Sequence, residues 1–165
     1  TLAAAAAAAA SGLALTACSP YKDPTLAIEA VTLVDESPEG LVLELTLSAR
    51  NDNEVPLPLS EVEYEFQLGP AGPDGWTGSF RGTRSAGATL RAGGTQTIIL
   101  PPAIPLPRGR RRPDGAVPYR LSADLVYITP GALADVLFDT GVRRPTVSFD
   151  RDGVIDFSAA PAPSP

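Results

Sequence analysis

The chain has 165 residues and is 44% hydrophobic, enough for one domain with a sizeable core. Pro and Gly, 18 and 15 in number, make up about a fifth of it, which favours short strands joined by many turns over a helical fold. A net charge of -6 with a pI near 4.6 argues against a nucleic-acid partner, because phosphate binding needs an excess of Lys and Arg on one face.

There is one Cys, so no intramolecular disulfide can form, and no Met, so an initiator residue is expected upstream. Residues 2 to 17 are apolar and small, too short to span a bilayer as a helix but matched to the apolar region of a secretory signal. The run ends Leu15-Thr16-Ala17-Cys18, which resembles the bacterial lipobox. That resemblance implies a cleaved signal over residues 1 to 17, diacylglycerol on the Cys18 thiol and an acylated new N-terminus. A thiolate is the nucleophile such a transfer needs, and several acyl chains give durable anchoring where one is marginal. The other reading is a buried structural cysteine after an ordinary signal, or an alanine tract with no targeting role. Residues 18 to 24 look like a short polar tether. Ser19 in second position implies, by resemblance, the periplasmic face of the outer membrane, with the inner membrane as the alternative.

From Thr25 the pattern is strand and turn. Thr25 to Val34 changes phase, Leu26 and Ile28 on one face and Val31 and Leu33 on the other, so a β-bulge is expected near Glu29 or Ala30. Leu41, Leu43, Leu45, Leu47 and Ala49 alternate with Val42, Glu44, Thr46 and Ser48, a half-buried strand. Val62, Tyr64, Phe66 and Leu68 alternate with Glu61, Glu63, Glu65 and Gln67, whose face must lie in water. Further strands are expected at Trp76 to Thr83, Thr95 to Leu100, Pro118 to Ile128 and Thr146 to Phe157, the last broken by a turn at Asp152-Gly153. One short helix is expected after Thr129 as its cap, with Pro130 in its first position and Leu133, Val136 and Leu137 on one face. Residues 159 to 165 read as a disordered Ala/Pro/Ser tail. The expected fold is an all-β, immunoglobulin- or fibronectin III-like sandwich of about seven strands over residues 25 to 158.

The stretch Leu45 to Leu59 contains Asn51-Asp52-Asn53 and then Pro56-Leu57-Pro58-Leu59, and Val62 and Tyr64 follow it. It resembles the hallmark of late embryogenesis abundant group 2 (LEA type 2) proteins and their water-stress and hypersensitive-response (WHy) domain. Asp52 stands where that family usually has proline. The resemblance continues through Gly93-Gly94, through Tyr119 to Leu125 and through Val147 to Gly153. It implies a sandwich associated with desiccation and stress protection. Independently of it, the Asn pair reads as structural, since Asn bonds neighbouring backbone groups where a strand leaves a sheet.

Catalysis is tested by elimination. Without His, Ser-His-Asp designs and His-ligated metals are excluded, and the sole Cys is accounted for by lipidation. A carboxylate pair and an acidic cation site remain, and since neither is favoured, no enzyme and no cofactor are expected. Glu61, Glu63 and Glu65 read as a solvated face rather than an acid/base pair. Asp150, Asp152 and Asp156 read as a hairpin turn rather than a cation loop, lacking the EF-hand spacing. Trp76, Phe80, Tyr119 and Tyr127 read as core before a carbohydrate-stacking face. Arg108, Arg110, Arg111 and Arg112 read as a solvated loop, with contact to anionic lipid or polymer as the alternative. A glycan or partner protein, or a client strand paired at a sheet edge, are the alternative partners.

Overall fold

In the computed structural model the described residues are 21 to 131 and 133 to 159. Cys18, the expected signal and nearly all of the expected tail lie outside them. Among these residues eight strands form two antiparallel sheets: β1 Thr25–Ser37, β2 Gly40–Arg50, β3 Leu57–Ala71, β4 Trp76–Leu90, β5 Thr95–Leu100, β6 Ala103–Pro105, β7 Ala116–Tyr127 and β8 Thr146–Asp156. Among the described residues there is one α-helix, α1, spanning Ala134–Asp139. One sheet runs β1-β2-β5, with β6 beside the start of β2, and the other runs β4-β3-β7-β8. β5 and β6 are one edge interrupted at Pro101-Pro102, where the Leu43 N–H bonds the Pro102 carbonyl at 3.0 Å.

The core is built from the alternation. Leu41, Leu43, Leu45, Leu47 and Ala49 of β2 face Val62, Tyr64, Phe66 and Leu68 of β3, all buried. Where apolar residues change phase, a bulge restores them to the inner face. In β1 the register shifts between Ile28 and Ala30, as expected, and again between Leu33 and Asp35. In β3 it shifts between Leu59 and Glu61, so Leu57 and Leu59 point inward together with Val62 and Tyr64.

Three sequence expectations are corrected. β8 has no turn at Asp152-Gly153. It pairs with β7 continuously from Thr146 to Asp156, with Tyr119 opposite Gly153. A Cβ on Gly153 would collide with the Tyr119 ring, so this glycine makes room for an aromatic rather than a turn. α1 starts one turn later than expected, with Leu133 at its N-cap position and no side-chain cap, while Thr129 is buried. Its inward residue is Phe138, whereas Leu133 and Val136 are exposed. The expected tether ends early, because Lys22 to Pro24 are fastened to the domain and Pro24 is buried.

Candidate functional site

The Asn51–Pro56 crossing carries the polypeptide from the end of β2 to the start of β3, in the other sheet. Backbone groups leaving a sheet lose their ladder partners and need others. Asn51, 0% exposed, supplies them. Its Nδ2 donates to the carbonyls of Val55 at 2.8 Å, Arg91 at 3.2 Å and Leu90 at 3.3 Å. Its Oδ1 accepts from the Asn53 N–H at 2.9 Å and the Asn53 Nδ2 at 2.8 Å. Gly93 and Gly94 close the same knot: the Asn51 N–H bonds the Gly94 carbonyl at 2.9 Å, and the Gly93 N–H bonds the Asn53 carbonyl at 3.1 Å. Two stretches singled out in the sequence thus meet at one point. Asp52 between them is exposed and pairs with Arg50 at 2.7 Å.

Asn53 extends this knot to the N-terminal segment. Its Oδ1 accepts from the Lys22 N–H at 2.8 Å, and its Nδ2 donates to the Lys22 carbonyl at 2.8 Å. Next along the chain, Asp23 accepts a hydrogen bond from the Tyr127 hydroxyl. Burial first, and then that carboxylate, push the Tyr127 hydroxyl well above the ordinary tyrosine range, with Arg143 opposing. Sequence reasoning missed Lys22, Asp23 and Tyr127 as a unit, because they meet across 31 and 104 residues.

At the opposite end of the sandwich, about 35 Å away along β2, lies the arginine loop. Arg110 bonds Asp74, Nη1 to Oδ1 at 3.2 Å, and lies 5.7 Å over the Trp76 ring. Arg112 pairs with Glu36 at 3.3 Å, where β1 turns Glu36 toward the end of the core. Two of the four arginines therefore close the end of the sandwich, while Arg108 and Arg111 are exposed.

The outer face of the β4-β3-β7-β8 sheet carries rows of polar side chains. Glu65 pairs with Arg81, Ser122 bonds Asp150 at 2.6 Å, Ser148 bonds Asp124 at 2.6 Å, and Arg120 holds Asp152 at 2.8 Å. Arg81 holds the Glu65 carboxyl below its ordinary range, and Arg120 does the same to Asp152. A shallow groove of about 490 Å³ runs over Glu63, Glu65, Ser122, Asp124, Ser148 and Asp150. Asp150 and Asp152 take Ser and Arg partners across β7 while Asp156 bonds Ser158, and no group of metal-ligating side chains forms among the described residues. The aromatics are dispersed rather than gathered into a stacking face. Tyr127 is buried, Tyr119 stacks on Phe66 at 5.4 Å, Phe80 lies 5.7 Å from Tyr64, and Trp76 sits under Arg110.

No protein-family model matches the chain, and no curated protein sequence matches it. Solved structures do. A solution structure of an Arabidopsis thaliana protein is 15% identical, with a TM-score of 0.59 over 91% of this chain and 92% of that one. The solution structure of a protein provisionally assigned as late embryogenesis abundant (LEA) is 16% identical, with a TM-score of 0.52 over 80% of this chain and 70% of that one. The chain therefore has an LEA-like β-sandwich fold.

Proposed function

We propose that the chain is an envelope lipoprotein, held through Cys18 at the periplasmic face of the outer membrane. Its non-catalytic LEA type 2-like domain protects neighbouring molecules during drying or related stress. The observation that carries the anchoring half is the fastening of Lys22 and Asp23. Only three residues separate Cys18 from Lys22, so an acylated Cys18 would hold the domain against the membrane by its Asn51–Asn53 end. The protective half is supported by the LEA-like fold and by the hydrated face of Glu63, Glu65, Ser122, Asp124 and Ser148. Closely spaced carboxylates and hydroxyls bind water tightly and offer the same bonds to polar surfaces that lose theirs.

The test is a deletion strain dried and rehydrated, complemented with the wild-type gene or with Cys18→Ala. Wild type should restore survival. Cys18→Ala should lose palmitate labelling, accumulate as unprocessed precursor and fail to restore it. A deletion strain that survives drying as well as its parent would count against protection.

The groove over Glu63 to Asp150 favours one second reading, a glycan-binding module. Facing carboxylates and serine hydroxyls match the paired hydroxyls of a sugar chain. Glu63→Gln/Asp124→Asn should then abolish retention on cell-wall glycan, and equal retention of both proteins would eliminate this reading.

A further inference from the structure

By helical spacing, Leu133, Val136 and Leu137 share one side of α1; Leu137 is half-buried, but Leu133 and Val136 are not turned into the core. Leu133 is 65% exposed and Val136 57%, while Val142, just past the helix, is 74% exposed. These are three of the six strongly exposed large aliphatic side chains among the described residues, within ten positions of one another. Phe138 packs inward in their place, under the Arg144 guanidinium at 4.9 Å.

The location of this patch is informative. α1 lies in the connection that leaves β7 at Tyr127 and re-enters the sheet at Thr146, the end at which β3 begins. The Tyr127 hydroxyl holds Asp23 there. Arg143, whose N–H bonds the Leu137 carbonyl at 3.0 Å, is close enough to that hydroxyl to oppose the upward shift of its pKa. The helix, Arg143 and the fastened N-terminal segment therefore share one end of the sandwich. Four residue steps from Lys22 to Cys18 reach at most about 14 Å. An acyl group on Cys18 would bring a bilayer to this end and to no other.

We propose that Leu133, Val136 and Val142 form a membrane-docking surface, seated in the interfacial layer of the bilayer that holds Cys18, with Lys22 and Arg143 at headgroup level. This proposal rests on the anchoring reading above. Acyl chains hold the domain to the membrane but leave it free to tilt, and aliphatic side chains beside the tether remove that freedom at the high local concentration the tether provides. The strands then stand away from the bilayer, and Arg108 and Arg111 point outward from it.

The test uses the full chain, acylated in a bacterial host, with the acyl group verified by mass, and reconstituted in vesicles of phosphatidylethanolamine and phosphatidylglycerol. Val142→Trp reports on the patch. Val154→Trp, 64% exposed and opposite Pro118 toward the far end, is the control, and Trp76 gives a constant background. Brominated acyl chains should quench Val142→Trp and not Val154→Trp, and acrylamide should reach Val142→Trp less. Adding Leu133→Asp/Val136→Asp should abolish the lipid quenching without lowering the melting curve, since both side chains are exposed and Asp suits the uncapped N-cap position of Leu133. Equal acrylamide access at both positions, with no lipid quenching in a verified acylated chain, would overturn the docking surface and leave the anchor standing; a protein client would give the same result. If Cys18 carries no acyl group, the anchoring reading falls. Lipid quenching in that unacylated chain would still support the surface, and its absence would overturn it.

Discussion

Asn51 accepts both the backbone N–H and the carboxamide N–H of Asn53, two residues on, while its own Nδ2 serves the carbonyls of Val55 in the same crossing and of Leu90 and Arg91 at the end of β4. The pair thus joins the β2–β3 crossing, the approach to β5 and the N-terminal segment. Removing Asn51 strands three carbonyls at once, that of Leu90 buried and the other two partly so, and Asn51→Ala should cost about 2 to 3 kcal/mol and Asn53→Ala about 1 to 2 kcal/mol in chemical denaturation. Asn51→Asp should be worse than Asn51→Ala, because a carboxylate would face those carbonyls with no hydrogen to donate. An unchanged melting curve accompanied by lost protection would instead make this crossing a ligand-contacting loop.

The alternating strands predict a contrast of positions. Leu45 is fully buried at the centre of β2, and Leu45→Ala should cost about 2 to 5 kcal/mol. Glu63→Ala, on the outer face of β3, should cost less than about 0.5 kcal/mol. Similar costs for the two would contradict the assigned faces.

Gly153 supplies a third test. Gly153→Ala should destabilise by about 1 to 3 kcal/mol, because the Tyr119 ring occupies the space of the added methyl. Tyr119→Ala should relieve most of that cost in the double variant, giving a clear coupling energy. Additive effects would mean that glycine is needed there for its backbone and not for the ring.

These residues also show what the sequence could tell. Period-two alternation made β2 and β3 legible, and the phase change in β1 announced its first bulge. Asp152-Gly153 misled because glycine beside aspartate is the usual mark of a turn, and only the partner strand reveals that a tyrosine fills the gap. β4 runs on to Leu90 through Gly82 and Gly87, where no side chain records which face is inward. β6 is three residues long between prolines, too short for any period. The Asn pair was legible as structural, but its grip on Lys22 was not, because local sequence carries no sign of a partner 31 residues away.

The pH dependence follows from the tyrosines. Burial raises the hydroxyls of Tyr64 and Tyr119, and burial with Asp23 raises that of Tyr127 furthest. The folded state therefore keeps protons that the unfolded chain gives up near pH 10. This stability is complete below pH about 10 and is lost as pH rises from there toward the folded values. Denaturation midpoints should fall steeply above that point, and Tyr127→Phe should flatten the fall. On the acid side Glu65, Asp152 and Asp156 are lowered, so their contribution is lost as pH falls through the folded values. All three are solvated and screened, so that limb should be shallow.

The anchoring of Cys18 is tested most directly by mass spectrometry of the protein extracted from the bacterial envelope. Trypsin cutting after Lys22 should release a peptide that begins at Cys18 and carries a diacylglyceryl thioether and an N-linked acyl chain. A peptide that continues N-terminal to Cys18, or an unmodified Cys18 thiol in the mature protein, would contradict the account.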